Sequence, residues 1–176
     1  MKQFSTIKLL ALAFMLISGL VAAQNITGKS VKISVDGTSP MHDWTMTSTS
    51  GSFSATVNGN VINNVKFTSA AKGLKSTKGK MMDNKAYAAL KADANPNINF
   101  TATAMNLGKG TISGKLTIAG ATKNVAIPVT VTKNGASYTI TGTHSLLLSE
   151  YNMERPGFMG VRTGDGIKVT VTIVAN

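Results

Sequence analysis

Apolar and polar residues alternate with a period of two in eight separate runs. They are Val31, Ile33 and Val35; Phe53, Ala55 and Val57; Val65 and Phe67; Ile98, Phe100, Ala102 and Ala104; Ile112, Leu116 and Ile118; Val125, Ile127, Val129 and Val131; Tyr138 and Ile140; and Ile167, Val169, Val171 and Ile173. Successive side chains of a strand point to opposite faces, so each run predicts a strand with one buried face. Turn-forming residues separate the runs: Asn58-Gly59, Gly108-Lys109-Gly110, Gly120 and Asn134-Gly135. Asn134-Gly135 between two alternating runs is a strong hairpin signal, because both residues tolerate positive φ.

One segment departs from this period. Met81–Ala92 is rich in Ala, Lys, Leu and Met and predicts one short helix. Asp83 is its expected N-cap, Asn95-Pro96 its limit, and Tyr87, Leu90 and Ala86 its inward face. Tyr151–Gly166 carries Pro156 and several glycines and predicts a long loop gating one end of the fold. About eight short antiparallel strands and one helix make an all-β protein, either a closed barrel or a sandwich. A membrane-spanning barrel needs longer strands and aromatic girdles, and aromatics are only 6% of the chain.

The start of the chain sets the expected compartment. Lys2 and Lys8 precede and flank the apolar stretch Leu9–Leu20, and Val21-Ala22-Ala23 supplies small residues before Gln24. This reads as a signal peptide over residues 1–23, cleaved after Ala23, leaving one domain over 24–176 in the periplasm or secreted. Without Lys2 and Lys8 the formal charge falls from +11 to +9, with 16 basic residues against 7 acidic. The lysines are scattered, densest at Lys72, Lys75, Lys78 and Lys80, and no basic run is interleaved with aromatics. That argues against a nucleic-acid partner and leaves solubility and peripheral contact with anionic headgroups. The chain has no cysteine, which excludes disulfides, thiolate chemistry and a lipidated-cysteine anchor.

Catalytic chemistry finds little purchase, and the protein is not expected to be an enzyme. No nucleophile-elbow pattern accompanies the serines, and the carboxylates are few and spread. His42-Asp43 is the one candidate metal pair, with Glu150 or His144 as a further ligand brought in by folding. Adjacent strand residues point apart, so the plainer reading places His42 and Trp44 on one face as a lid at a barrel end. Glu150, Glu154 and Arg155 are candidates for surface ion pairs, and Arg155 or Arg162 for meeting a polar headgroup at the barrel mouth. No metal or catalytic site is assigned.

The inward set predicted by alternation is Phe53, Phe67, Ile98, Phe100, Ile112, Leu116, Ile127, Val129, Tyr138, Ile140, Val169 and Val171, with Met105 and Leu146 at the ends. Periodicity alone fits either a filled core or an apolar cavity. Methionines Met81, Met82, Met105 and Met159 are candidates for an adaptable wall or simple gap-fillers.

Two stretches carry a family resemblance: Asn95-Pro96-Asn97-Ile98-Asn99-Phe100, and Ile112-Ser113-Gly114-Lys115-Leu116-Thr117-Ile118-Ala119-Gly120-Ala121-Thr122-Lys123. Ser39–Trp44, the segment Met81–Leu90 and Gly164–Val169 support them in order and spacing. The chain resembles the YceI-like family of exported lipid-binding proteins over nearly the whole of residues 24–176. It differs in its Met41-His42-Asp43-Trp44 segment, and in showing Lys78-Gly79-Lys80-Met81-Met82-Asp83 where better-known members carry an arginine-and-aspartate segment. The resemblance implies an eight-stranded antiparallel, lipocalin-like barrel whose inward set lines a cavity. It also implies a polyisoprenoid ligand, such as an isoprenoid quinone, or another long amphiphile, with no catalytic cofactor, and a homodimer in some members. The competing expectation is a cell-envelope or stress-related structural protein with a filled barrel and no ligand.

Overall fold

The computed structural model describes residues 23–176, so all of the expected leader but Ala23 lies outside the described residues. Eight long strands form the body: β1 (Gln24–Gly37), β3 (Ser52–Asn58), β4 (Val61–Ala70), β6 (Asn97–Asn106), β7 (Gly108–Ile118), β8 (Ala121–Asn134), β9 (Ser137–Leu147) and β12 (Gly166–Ala175). Each pairs antiparallel with the next in that order, and β12 pairs back onto β1 from Gly28↔Ala175 to Gly37↔Ile167. The sheet thereby closes into a barrel, which removes the unpaired edge of an open sheet.

The minor elements gather at one end. β2 (Trp44–Ser48) pairs with the last residues of β1, while β3 pairs with its first four. Together β2 and β3 flank one side of β1, with a step at Ser50-Gly51. β5 (Lys75–Ser76) adds to β2, and the helix α1 (Lys80–Ala89) follows. A small hairpin of β10 (Gly157–Phe158) and β11 (Val161–Arg162) interrupts the long predicted loop.

The opposite end, the base, is closed by tight turns and solidly packed. Ile26, Val57, Ile62, Val131, Tyr138 and Ala175 are 0–5% exposed there. Burying each large side chain contributes about 1.5–3 kcal/mol. At the mouth, the 38–43 loop, the 71–96 segment with α1 and the 148–165 segment are tied together. The Gly164 N–H donates to the Thr38 carbonyl at 2.8 Å, and Lys85 Nζ donates to the Gly157 carbonyl at 2.6 Å.

Several local expectations are corrected. The turn after β8 is Gly135-Ala136, with Asn134 still paired to Ser137; Gly135 alone takes positive φ, at 58°. Gly108-Lys109-Gly110 belongs to β7 and pairs with Val131–Val129, so the reversal falls at Leu107. The alternation slips in β4 at Asn64 (φ 53°), where one extra residue is accommodated against β3. Paired β6 slips at the same level, so Met105 rather than Ala104 turns inward.

Helix α1 begins earlier than predicted, capped at Gly79, and Asp83 is not its N-cap. Asp83 is instead buried and accepts the Ser76 N–H at 2.6 Å, with Lys75 Nζ at 3.7 Å. Tyr87 is half-buried and packs against the core, as expected. Its hydroxyl donates toward the carbonyls of Lys72 (2.9 Å) and Leu74 (2.8 Å) and accepts from Lys75 Nζ (2.6 Å). That ammonium is held above its ordinary pKa chiefly by this hydrogen bond.

Candidate functional site

Above the packed base the inward side chains stop short of one another and leave a cavity of about 210 Å³. Its walls come from every long strand, and Ala86, Ala89 and Leu90 of α1 and its C-cap close it from the mouth. Eleven of the predicted inward residues line it: Phe53, Phe67, Ile98, Phe100, Ile112, Leu116, Ile127, Val129, Ile140, Val169 and Val171. Met105 and Leu146 also line it.

Tyr138 does not line the cavity. It lies one inward position below Ile140 on β9, where the base is filled, and is 1% exposed. The Lys133 ammonium sits 5.5 Å from its ring centroid. The methionine expectation also changes. Met81 and Met159 are 57% and 87% exposed, Met82 is outside the cavity wall, and Met46 and Met153 join Met105 in it.

Two kinds of cavity residue escape the alternation reading. Leu74, Leu148, Met153 and Pro156 come from connecting segments that only folding brings over the barrel. Gly142 and His144 belong to the inward row of β9, Tyr138-Ile140-Gly142-His144-Leu146, and extending the period beyond Ile140 would have found them. Ser69 is the other polar side chain in the wall, and its hydroxyl donates to the Ser50 carbonyl at 2.7 Å.

The partition at the mouth is built around Trp44. Its ring lies across Gly37, where an added Cβ would stand 2.2 Å from the indole. Its indole N–H donates to the Thr38 carbonyl at 3.2 Å. Trp44, Leu146 and Ile167 line both the inner cavity and an outer groove of about 680 Å³ that also holds Asp36, Asp43, Glu150 and Lys168. These three apolar side chains therefore stand between the inner cavity and the outer groove.

The 38–43 stretch is a turn, not a strand. Ser39 N–H and Oγ both donate to the His42 carbonyl, at 3.1 and 2.7 Å. The expected lid therefore splits: His42 is exposed while Trp44 is half-buried over the cavity. His144 faces the cavity, whereas Asp43 and Glu150 face the outer groove. Among the described residues no three metal-ligating side chains gather at one point. Arg155 and Arg162 are exposed on the mouth segment. Nearby, Asp165 accepts both the hydroxyl and the N–H of Ser149, which hold its carboxyl below the usual range. Burial, and then the Glu150 charge, push the Tyr151 phenol up.

Among the described residues no helix is long and apolar enough to cross a membrane. The arrangement suits containment of an apolar chain: a wall of aliphatic and aromatic groups, one end plugged, the other behind a thin partition.

Comparison with known proteins agrees with this architecture. BcnA from Burkholderia cenocepacia superposes with a TM-score of 0.69 at 20% identity, covering 83% of this chain and 96% of the other. A polyisoprenoid-binding domain from Saccharophagus degradans implicated in plant cell wall breakdown gives 0.72 at 8% identity, covering 86% and 97%. The Campylobacter jejuni YCEI protein gives 0.52 at 18% identity, covering 64% and 71%. At these identities the likeness is one of fold. No curated protein matches the chain. The YceI-like domain model matches residues 22–175, and the chain belongs to the YceI-like family.

Proposed function

We propose that this protein binds a long-chain lipid of the polyisoprenoid type inside the barrel and carries it within the cell envelope, rather than catalysing a reaction. The observation that carries this reading is the cavity itself: a closed barrel with its base packed and its upper interior open, walled almost wholly by apolar side chains. A purely structural barrel has no use for that gap, because filling it would add dispersion and burial energy. The eleven inward residues of the predicted set form the wall in contact with the chain. Burying about 300 Å² of ligand hydrocarbon contributes roughly 7 kcal/mol before ordering costs.

The polyisoprenoid-binding description of the Saccharophagus degradans domain supports this ligand class. Export is supported by Lys2, Lys8 and the apolar Leu9–Leu20 stretch. Exchange with a membrane is supported at the mouth, where Met41, Met81 and Met159 expose 57–87% of their surface on its three segments.

Native mass spectrometry of protein purified from the envelope fraction tests the reading. The expected result is a polypeptide beginning near Gln24 with about one organic-extractable lipid per chain. Protein that is lipid-free as isolated, and that takes up no polyprenyl lipid when offered one, would overturn it.

A further inference from the structure

His144 is half-buried and faces the apolar cavity from the inward row of β9. Its neighbours along the inward row are Leu146 toward the mouth and Gly142 toward the base, and its cross-strand partner on β12 is Val169. On the other side the β8–β9 ladder ends at Val129↔Gly142, and the next β8 residue, Pro128, has no N–H to add a rung. The imidazole thus sits beside a parting of two strands, and below it the Val129 and Ile127 side chains close in on Gly142, where an added Cβ would stand 3.3 and 3.4 Å from them.

The other polar groups of the wall are already committed. Ser69 Oγ bonds the Ser50 carbonyl and the Trp44 indole N–H bonds the Thr38 carbonyl. His144 makes no hydrogen bond or ion pair with any described residue, although it lines the same cavity. Polar groups facing an apolar interior ordinarily find partners, and an imidazole both donates and accepts.

We infer that His144 is the recognition point for the ligand's polar end, hydrogen-bonding a single neutral oxygen group, a hydroxyl or ring carbonyl. This rests on the lipid-binding reading above and adds the ligand's head chemistry and its orientation. The head is neutral because no lysine or arginine lines the cavity among the described residues, so a phosphate or carboxylate there would lack a fixed cation. It lies near the mouth because His144 is one inward position below Leu146, which helps form the partition with Trp44 and Ile167. The tail then runs toward Ile140, Met105, Ile112 and Ile173, against the packed base. The lipid enters tail first, and its head comes to rest just inside the partition.

The test compares two probes on the full protein: a polyprenyl alcohol and the hydrocarbon of equal chain length without the oxygen. His144→Leu removes the hydrogen bond at similar bulk, and His144→Gln keeps a donor and an acceptor. His144→Leu should weaken the alcohol by about 2- to 12-fold, the span of one net hydrogen bond, while hydrocarbon affinity stays within about twofold. His144→Gln should recover part of the loss. Should His144→Leu change neither probe, or weaken both alike without recovery in His144→Gln, the His144 assignment falls and lipid binding stands. Should the native protein bind neither probe, both readings fall together.

Discussion

Stripping bound lipid from the barrel should lower its stability by several kcal/mol. Cavities in protein interiors cost about 24 cal/mol per Å³, so the 210 Å³ interior corresponds to a ceiling of about 5 kcal/mol. A lipid present at 100 times its Kd contributes about 2.7 kcal/mol by mass action alone. For a domain of this size 1 kcal/mol moves Tm by about 2–4 °C, so the filled and empty forms should melt roughly 5–20 °C apart. Differential scanning calorimetry before extraction, after extraction and after lipid is returned measures the difference directly. Ala86→Leu supplies the control. It adds three carbons from α1 into the same space, worth about 2 kcal/mol if they fit. The empty variant should melt higher than the empty native protein and respond less to lipid. Equal melting of filled and empty protein, with Ala86→Leu lowering Tm and leaving the lipid response intact, would show that the gap is not a ligand site.

Three further outcomes follow from local geometry. Gly114→Val should cost at least 1–3 kcal/mol in urea unfolding, because a Cβ there stands 2.4 Å from the Thr101 carbonyl oxygen and 2.7 Å from the Phe100 ring; Gly142→Ala, whose nearest contact is 3.3 Å, should be far milder. Asp83→Ala should cost about 1–3 kcal/mol by leaving the Ser76 N–H unpaired, and hydrogen exchange should rise first over residues 75–90. The Asp165 carboxyl is held low by Ser149, so its contribution is intact above the unfolded carboxyl's value and is lost as pH falls through the lower folded one. Asp165→Asn should remove this acid sensitivity, read as faster proteolysis of the 148–165 segment on acidification.

Much of the wall was legible because strand geometry is local. A period of two means that one correctly oriented residue orients its whole run, and eleven of twelve chosen positions line the cavity for that reason. The failures are equally physical. Asn64 absorbs an extra residue and shifts β4 and β6 by one, which no period reveals. Tyr138 has the right face but the wrong height, since alternation says nothing about where along a barrel the packing closes. Asp83 looked like a cap by residue type, yet the chain before it brought Ser76 within reach.

The sequence by itself determined the strands, their buried faces, the single helix and the family, because these depend on residue spacing along the chain. Only the tertiary structure decided that the interior is open above and solid below. Cavity or core is a question of whether side chains from opposite strands meet, and those strands lie far apart in sequence. The same holds for Trp44 as a partition and for His144 as an unpartnered imidazole. Both roles depend on neighbours that closure of the barrel supplies.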